Sequence, residues 1–202
     1  MLQVGIIGYG HRIEHMAKAM AVFGIPYQVA AIADPRADEI RERRDPFLAE
    51  TRFYESADEM LAHAEELDGV MIGTRCYLHT EMACKVAPTG LPIFLEKPVA
   101  ITFAQLKRLE ETFRDYTAPV VVSFPLRLTP ILQAVREIVA SDRIGTVEQV
   151  VAFNDVPYGT VYFRRWHRNY ELNGGLFLQK ATHDFDYITY LLEQRPRWVS
   201  AM

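Results

Sequence analysis

Val4-Gly5-Ile6-Ile7-Gly8-Tyr9-Gly10-His11-Arg12-Ile13 is the stretch on which the fold turns. Leu2 to Ile7 is a short apolar run of the kind that forms a strand buried on both faces. It leads directly into Gly8-Tyr9-Gly10, where the chain must turn tightly and its backbone can approach a ligand without a Cβ in the way. From His11 to Phe23 the apolar spacing becomes helical, with Ile13, Met16, Ala17, Met20 and Phe23 along one side. A strand, a glycine turn and a helix N-terminus make an anion site, because unpaired amides and the helix dipole point the same way. Gly8, Tyr9, Gly10, His11 and Arg12 are therefore candidates to hold a pyrophosphate.

The next apolar run, Tyr27 to Ala33, ends in Asp34, close to the roughly 20-residue spacing at which a carboxylate receives adenosine ribose hydroxyls. Asp34-Pro35 is also an ordinary strand-ending turn. Arg36 would pair with a 2′-phosphate or stand as a solvated residue at a helix start. NAD and NADP both remain open on these residues.

Outward from this nucleus, strands and helices alternate. Arg36 to Glu50 reads as a polar-faced helix broken or kinked at Pro46. Arg52-Phe53-Tyr54 is a strand, and Ser56 with Glu59 forms a capping box for a helix over Ala57 to His63. Gly69 to Gly73 is a buried strand ending at Thr74, followed by a helix from His79 to Ala87. Pro92 to Leu95 is a strand, Thr102 caps a helix through Arg114, and Val120 to Val122 is a sixth strand. Short strands alternating with helices predict an α/β fold with a doubly wound parallel sheet over residues 1–122.

From 123 to 202 the pattern changes. A helix is expected over Leu128 to Ser141, a β-rich run over Val147 to Phe153, and an irregular aromatic and basic segment over Asn154 to Asn173. Gly174-Gly175 then precedes a helix from about Leu176 to Leu192, and Trp198 to Ala201 starts another strand. Two strands cannot make an independent sheet. This part reads as the incomplete start of an α+β domain.

The chain has 202 residues, half of them apolar, and a net charge of −4, which argues against a nucleic-acid binder. Cys76 and Cys84 are its two cysteines, without zinc spacing or a disulfide framework. No metal is expected, and a reducing, cytoplasmic setting is the default. No apolar run reaches membrane-span length, and with a first strand expected from Leu2 no signal peptide is expected.

Chemistry is expected at two places. Glu96-Lys97-Pro98 follows the fifth strand at the carboxyl edge of the sheet, where such folds bind ligands. An ammonium there can donate to a substrate oxygen, although Lys-Pro is also a common surface turn. Lys180, His183 and Asp186, three apart on a helix, share one face. A neutral His183 can take a hydroxyl proton, although a lone histidine on an amphipathic helix more often serves packing.

These pieces, taken in order, resemble the Gfo/Idh/MocA oxidoreductases: Gly8-Tyr9-Gly10, Ala33-Asp34-Pro35, Thr74 with His79, Glu96-Lys97-Pro98, Arg127 with Pro130, Arg143-Ile144-Gly145, Gly174-Gly175, and His183 with Asp186. The resemblance implies an N-terminal Rossmann domain and a substrate and dimerisation domain. It also implies an NAD- or NADP-dependent dehydrogenase or reductase acting on a sugar, cyclitol or related polyol, and a homo-oligomer. It makes Lys97 and His183 catalytic, with Lys180 in support, and adds Thr74, His79 and Glu96 to the cofactor set. A cis peptide before Pro98 is implied, which an X-Pro bond permits. Arg127, Arg164, Trp166, His167 and Asp186 are candidate substrate contacts, and the segment around Trp166 is equally an ordinary loop pinned by its aromatics.

Four departures stand out. Ile13 takes the third small position of the glycine turn and would crowd the helix against the sheet. Arg75-Cys76 replaces the usual Pro-Asn, and Gln179 stands where many members have an aspartate, leaving Lys180 as the candidate for its polar role. The chain is also shorter than the family, lacking most of the second sheet, as a fragment or as a short homologue completed by a partner chain. Alternatives within this reading are a non-catalytic dinucleotide-binding protein, an NAD-assisted glycosidase of the same superfamily, and a purely structural role.

Overall fold

The computed structural model describes residues 1–155 and 159–200. The chain forms two compact units, Met1–Ser123 and Phe124–Met202.

The first unit alternates strand and helix. In order come β1 (Leu2–Ile7), α1 (His11–Val22), β2 (Tyr27–Ala33), α2 (Ala37–Glu42), β3 (Arg52–Tyr54) and α3 (Ala57–Leu61). β4 (Gly69–Ile72), α4 (His79–Val86), β5 (Ile93–Leu95), α5 (Phe103–Phe113) and β6 (Val120–Val122) complete it. The six strands form one sheet in the order β3-β2-β1-β4-β5-β6, and every pair is parallel. Chain order reverses between β1 and β4, which is the switch point where open α/β sheets bind ligands. Ile7 pairs with Ala33 on one side and Ile72 on the other, and Ile72 pairs with Leu95. The strands therefore end level, and the residues after them share one edge.

Alternation along the strands divides the apolar residues between two cores. Val4, Ile6, Ile32 and Met71 pack with Ile13 and Ala17 of α1 and Ile40 of α2. Ile7, Ala31, Ala33, Val70, Ile72, Ile93 and Leu95 pack with Ala57 and Met60 of α3 and Met82, Ala83 and Val86 of α4. Fully burying one such isoleucine is worth about 1.5–3 kcal/mol, so this three-layer arrangement dominates the stability of the unit.

Most expected elements lie within a residue or two of their observed ends, and the exceptions have local causes. The helix expected over Arg36–Glu50 stops at Glu42. Arg44 takes a left-handed φ of 47°, and Asp45 accepts from Phe47 N to start a separate turn, Pro46–Leu48. Ser56 caps α3 by accepting from Glu59 N, while the Glu59 carboxylate reaches Glu55 N rather than closing the box on Ser56.

The second unit holds α6 (Pro130–Ala140), α7 (Thr160–Arg164), α8 (Tyr170–Asn173) and α9 (Thr182–Leu192). α9 is entered through a π-helical turn, Phe177–Ala181. Val147–Phe153 forms no strand, and neither does 198–200; Ala201 lies outside the described residues. β-branched residues fit a strand only where another strand offers hydrogen bonds, and a lone run has none to use. Among the described residues no helix is long and apolar enough to cross a membrane.

Candidate dinucleotide and catalytic site

The glycine turn connects β1 to α1 at the switch point. Gly8 has φ +83°, and a Cβ on it would lie 2.8 Å from the backbone N of Thr74, so this position needs glycine for conformation and space. Gly10 differs. It is the N-cap of α1 in extended conformation, with φ −81°. A Cβ on Gly10 would meet only the Gly73 carbonyl, at 3.8 Å. Packing within the protein does not require glycine there, and no side chain caps α1. An open space beside uncapped helix amides fits a pyrophosphate.

Ile13 does not crowd the sheet, contrary to the expectation from the glycine pattern. Gly73, directly after β4, leaves the room: a Cβ there would lie 1.9 Å from Ile13 Cγ1. The bulk of the helix side chain is matched by its absence on the strand side.

Asp34 follows β2 and is buried. Its Oδ2 accepts from Tyr9 N at 2.9 Å, tying it to the glycine turn. Arg36 folds back onto the same carboxylate, through its backbone N and Nε to Oδ1 and through Nη2 to Oδ2. The hydrogen bond to Asp34 pushes the Arg36 pKa up. The Tyr9 ring lies in the core, and burial raises its pKa to about 12, so Tyr9 serves the site through its backbone. His11 is exposed, and Arg12 donates from Nε to Glu96 Oε1 at 3.1 Å, joining the start of α1 to the loop after β5.

Thr74, His79 and the Lys97-Pro98 turn form a second cluster on the same edge. His79 is buried, with Nδ1 2.7 Å from the Pro98 carbonyl and Nε2 3.1 Å from the Thr74 carbonyl. Burial lowers its pKa. Both nitrogens face backbone oxygens, and a neutral ring donates from one of them only; the closer approach, Nδ1 to the Pro98 carbonyl, ties the start of α4 to the loop after β5, and neither nitrogen opens onto a ligand. Lys97 is half-buried, and the Lys97–Pro98 peptide is cis.

In the second unit, Arg127 and Asp186 hold each other. Arg127 Nε donates to Asp186 Oδ2 at 2.8 Å, and Nη2 donates to Oδ1. The guanidinium also lies over the rings of Phe124 and Tyr190. This fork pins the turn Pro125–Leu128 to α9. His183 sits one turn before Asp186, with its ring edge-on to Phe124 at 5.8 Å. Lys180 lies in the π-helical turn and is half-buried. Trp166 stacks on His167 at 3.9 Å, and Tyr162 approaches the same imidazole; Arg164 is exposed.

Matches to known proteins agree with this geometry. Residues 2–124 match the model of the Gfo/Idh/MocA oxidoreductase family with its NAD-binding Rossmann fold, and residues 132–202 match the family's C-terminal domain. The chain belongs to the Gfo/Idh/MocA family. An inositol 2-dehydrogenase of Rhizobium meliloti is 27% identical over 99% of this chain and 58% of its own length. The putative oxidoreductase YteT of Bacillus subtilis is 28% identical, over 90% of this chain and 44% of its own. The WlbA dehydrogenase of Bordetella pertussis, solved with NADH and UDP-GlcNAcA, superimposes with a TM-score of 0.79 at 25% identity, over 95% of this chain and 58% of that one. The chain thus spans about half the length of the relatives it matches.

As a member of this family the chain carries an NAD-binding Rossmann fold, and its glycine turn, Asp34 and switch-point edge fit that group. Two residues escaped the sequence reading. Gly73 was legible only as the end of a strand, although a glycine closing a buried strand opposite a bulky helix residue is a usable signal. Asn173, fully buried, accepts from Gly175 N and donates to the His167 carbonyl; the Asn-Gly-Gly sequence hints at that turn.

Proposed function

We propose that the chain serves an NAD(P)-dependent oxidoreductase that interconverts a hydroxyl and a ketone on a cyclitol, sugar or related polyol. The observation that carries this reading is the convergence on one sheet edge of an uncapped helix N-terminus with open space at Gly10, the buried Asp34 carboxylate, and Lys97. The inositol 2-dehydrogenase among its relatives supports the substrate class. The bound nicotinamide would supply hydride transfer at the carbinol carbon.

The roles of the protein's own groups follow from their chemistry. Lys97 is the donor to the reacting oxygen: an ammonium beside a hydroxyl stabilises the alkoxide that develops as the proton leaves. His183 is the base that receives this proton, and Lys180 is its polar neighbour. His79 positions Lys97 from behind by holding the Pro98 carbonyl. Thr74 and Glu96 complete the cofactor edge, and Arg164, Trp166 and His167 supply polar and aromatic surface for a polyhydroxylated substrate. The working assembly is a homo-oligomer in the cytoplasm, in keeping with the unbridged Cys76 and Cys84.

The test is a titration of the folded chain with NADH and NADPH, followed by a screen of inositols and sugars for nicotinamide reduction. Saturable binding, with turnover abolished in Lys97→Ala and His183→Ala, is expected. Binding without turnover of any polyol points to the non-catalytic alternative, and no binding overturns the reading.

A further inference from the structure

We propose that the cleft between the end of α2 and the start of β3 is a second binding site, for a small planar organic anion. Its ligand is a carboxylate or phosphate carried on an aromatic ring, held by Arg44 over a floor of Ile40, Leu48 and Phe53. The inference goes beyond the oxidoreductase reading and does not depend on it.

The cleft has a volume of about 460 Å³ and is lined by residues of α2, of the turn Pro46–Leu48 and of β3. Sites for small ligands run from roughly 300 to 1,000 Å³ and combine apolar walls with a few convergent polar groups. Ile40 and Leu48 are buried and Phe53 is half-buried, and all three pack in one core. They give the cleft an apolar floor that includes an aromatic ring. The place is not the cofactor edge. α2 starts three residues after Asp34 and leads the chain back toward the amino side of the sheet, where Thr51 donates to the Val29 carbonyl, well before β2 ends.

Charge then selects the ligand. Arg41 lies over the Phe53 ring, 5.5 Å from its centre, and pairs with Asp38 at 3.2 Å. Asp45, the carboxylate of the lining, is already neutralised: Lys18 binds it at 2.6 Å, and Phe47 N donates to it at 3.0 Å. Lys18 holds this carboxyl below the usual carboxylate range. Arg43 is committed to Glu39 and Glu14. Arg44 differs, because among the described residues its guanidinium has neither an ion pair nor a hydrogen bond. Its left-handed φ of 47° is uncommon for a residue with a side chain, and such conformations cluster where a chain is shaped for a ligand. Arg41 and Asp38 cancel, as do Lys18 and Asp45, which leaves the charge of Arg44 beside the apolar floor. That combination fits an anionic group for the guanidinium fork and a flat ring to pack beside the Arg41–Phe53 pair.

The experiment titrates the full chain, labelled with ¹⁵N, with phenyl phosphate, benzoate, inorganic phosphate and benzyl alcohol, and follows the backbone amide resonances. Saturable shifts centred on residues 40–53 are expected for an aromatic anion at about millimolar concentration, and the first two probes tell phosphate from carboxylate. Inorganic phosphate and benzyl alcohol each carry half of the required chemistry and should bind at least about 10-fold more weakly. Arg44→Ala should weaken the aromatic anion about 10-fold or more. Phe53→Leu, which keeps an apolar floor without the ring, should weaken it about 3-fold. Arg43→Ala, which removes an equal charge already committed elsewhere, should leave binding within about twofold.

Absence of saturable shifts at residues 40–53 overturns the inference. So does binding of benzyl alcohol or inorganic phosphate as tight as that of the aromatic anions, since the cleft would then read only one half of the ligand. Equal weakening by Arg43→Ala and Arg44→Ala overturns it as well, because net charge alone would then attract the anion. Displacement of the probe by NADH would place the anion in the cofactor site and overturn it too.

Discussion

Between Val4 and Leu95 the first unit buries isoleucine, valine, leucine, methionine and alanine on both faces of its sheet, while from Phe124 onward the buried side chains among the described residues are Asn173, Gln179 and Asp186. The second unit is held instead by a fork, Arg127 on Asp186, by arginines over the Tyr190 ring, and by hydrogen bonds from Gln133 and Arg136 to the Tyr190 hydroxyl. Several of its larger apolar residues, Leu128, Ile131, Phe153 and Phe177 among them, are exposed. Polar networks fix orientation but add little net stability, whereas buried apolar area is the main driving term. One unit is thus stabilised from within, and the other is positioned without a core of its own.

The largest effect that tests this contrast comes from dividing the chain at Ser123. Residues 1–123 should keep a cooperative urea transition, within the roughly 5–15 kcal/mol of ordinary domains. Residues 124–202 alone should show none by circular dichroism. A cooperative transition in that second fragment would break the comparison.

A smaller effect sharpens what self-sufficiency means in the first unit. Ile13→Ala should cost about 2–5 kcal/mol, as an emptied core site does. Gly73→Ala should cost about 1–3 kcal/mol by overpacking against Ile13. The double variant should cost less than the sum by at least about 1 kcal/mol, because each change relieves the other. Strict additivity in urea titrations would mean that the two residues do not share one space.

The same contrast explains what the sequence could disclose. β1, β2 and β4 are continuous apolar runs bracketed by glycine, aspartate or proline, and burial on both faces leaves such runs no other good use. Gly8, Gly10 and Asp34 stood out as candidates because a glycine turn after one buried strand and a carboxylate ending the next can be read from spacing alone. Val147–Phe153 has strand composition, yet a strand is a property of a pair, and composition cannot supply the partner. The Arg127–Asp186 fork joins residues far apart in sequence, and the Arg36 fork depends on a rotamer, so charge pattern alone announced neither. Ile13 looked like a defect until Gly73 was set opposite it.

His79 offers a test through pH. Burial lowers its folded-state pKa, so the folded protein favours the neutral ring and the unfolded chain takes up the proton first. The stability this histidine contributes is complete above the unfolded value of about 6.5 and is lost as pH falls below it. His79→Gln should cost about 1–3 kcal/mol at pH 8, from the one hydrogen bond the neutral ring donates, to the nearer Pro98 carbonyl, and from its buried packing. The gap between wild type and variant should narrow as pH falls from 7 toward 5.5. Urea midpoints across that range decide it, and a constant or widening gap would refute the assignment of a neutral brace.

The smallest effect uses the same residue type at two helix starts. Thr102 begins α5 and its hydroxyl accepts from Gln105 N, a side-chain cap on the first turn. Thr129 begins α6, but its hydroxyl donates backward to the Leu126 carbonyl and leaves the helix uncapped. Pro130 at the first position of α6 already removes one of the unpaired amides that a cap would serve. Thr102→Ala should therefore cost about 1 kcal/mol, the usual loss of a helix cap, and Thr129→Ala only a few tenths. The readout is the urea midpoint of the full chain for both variants. Equal losses would show that the hydroxyl at α6 caps its helix in solution, and that the second unit uses local helix chemistry as the first one does. A clear difference would locate the threonine of α6 in the turn that carries Arg127, where its hydroxyl shapes the approach to the fork with Asp186 rather than the helix behind it.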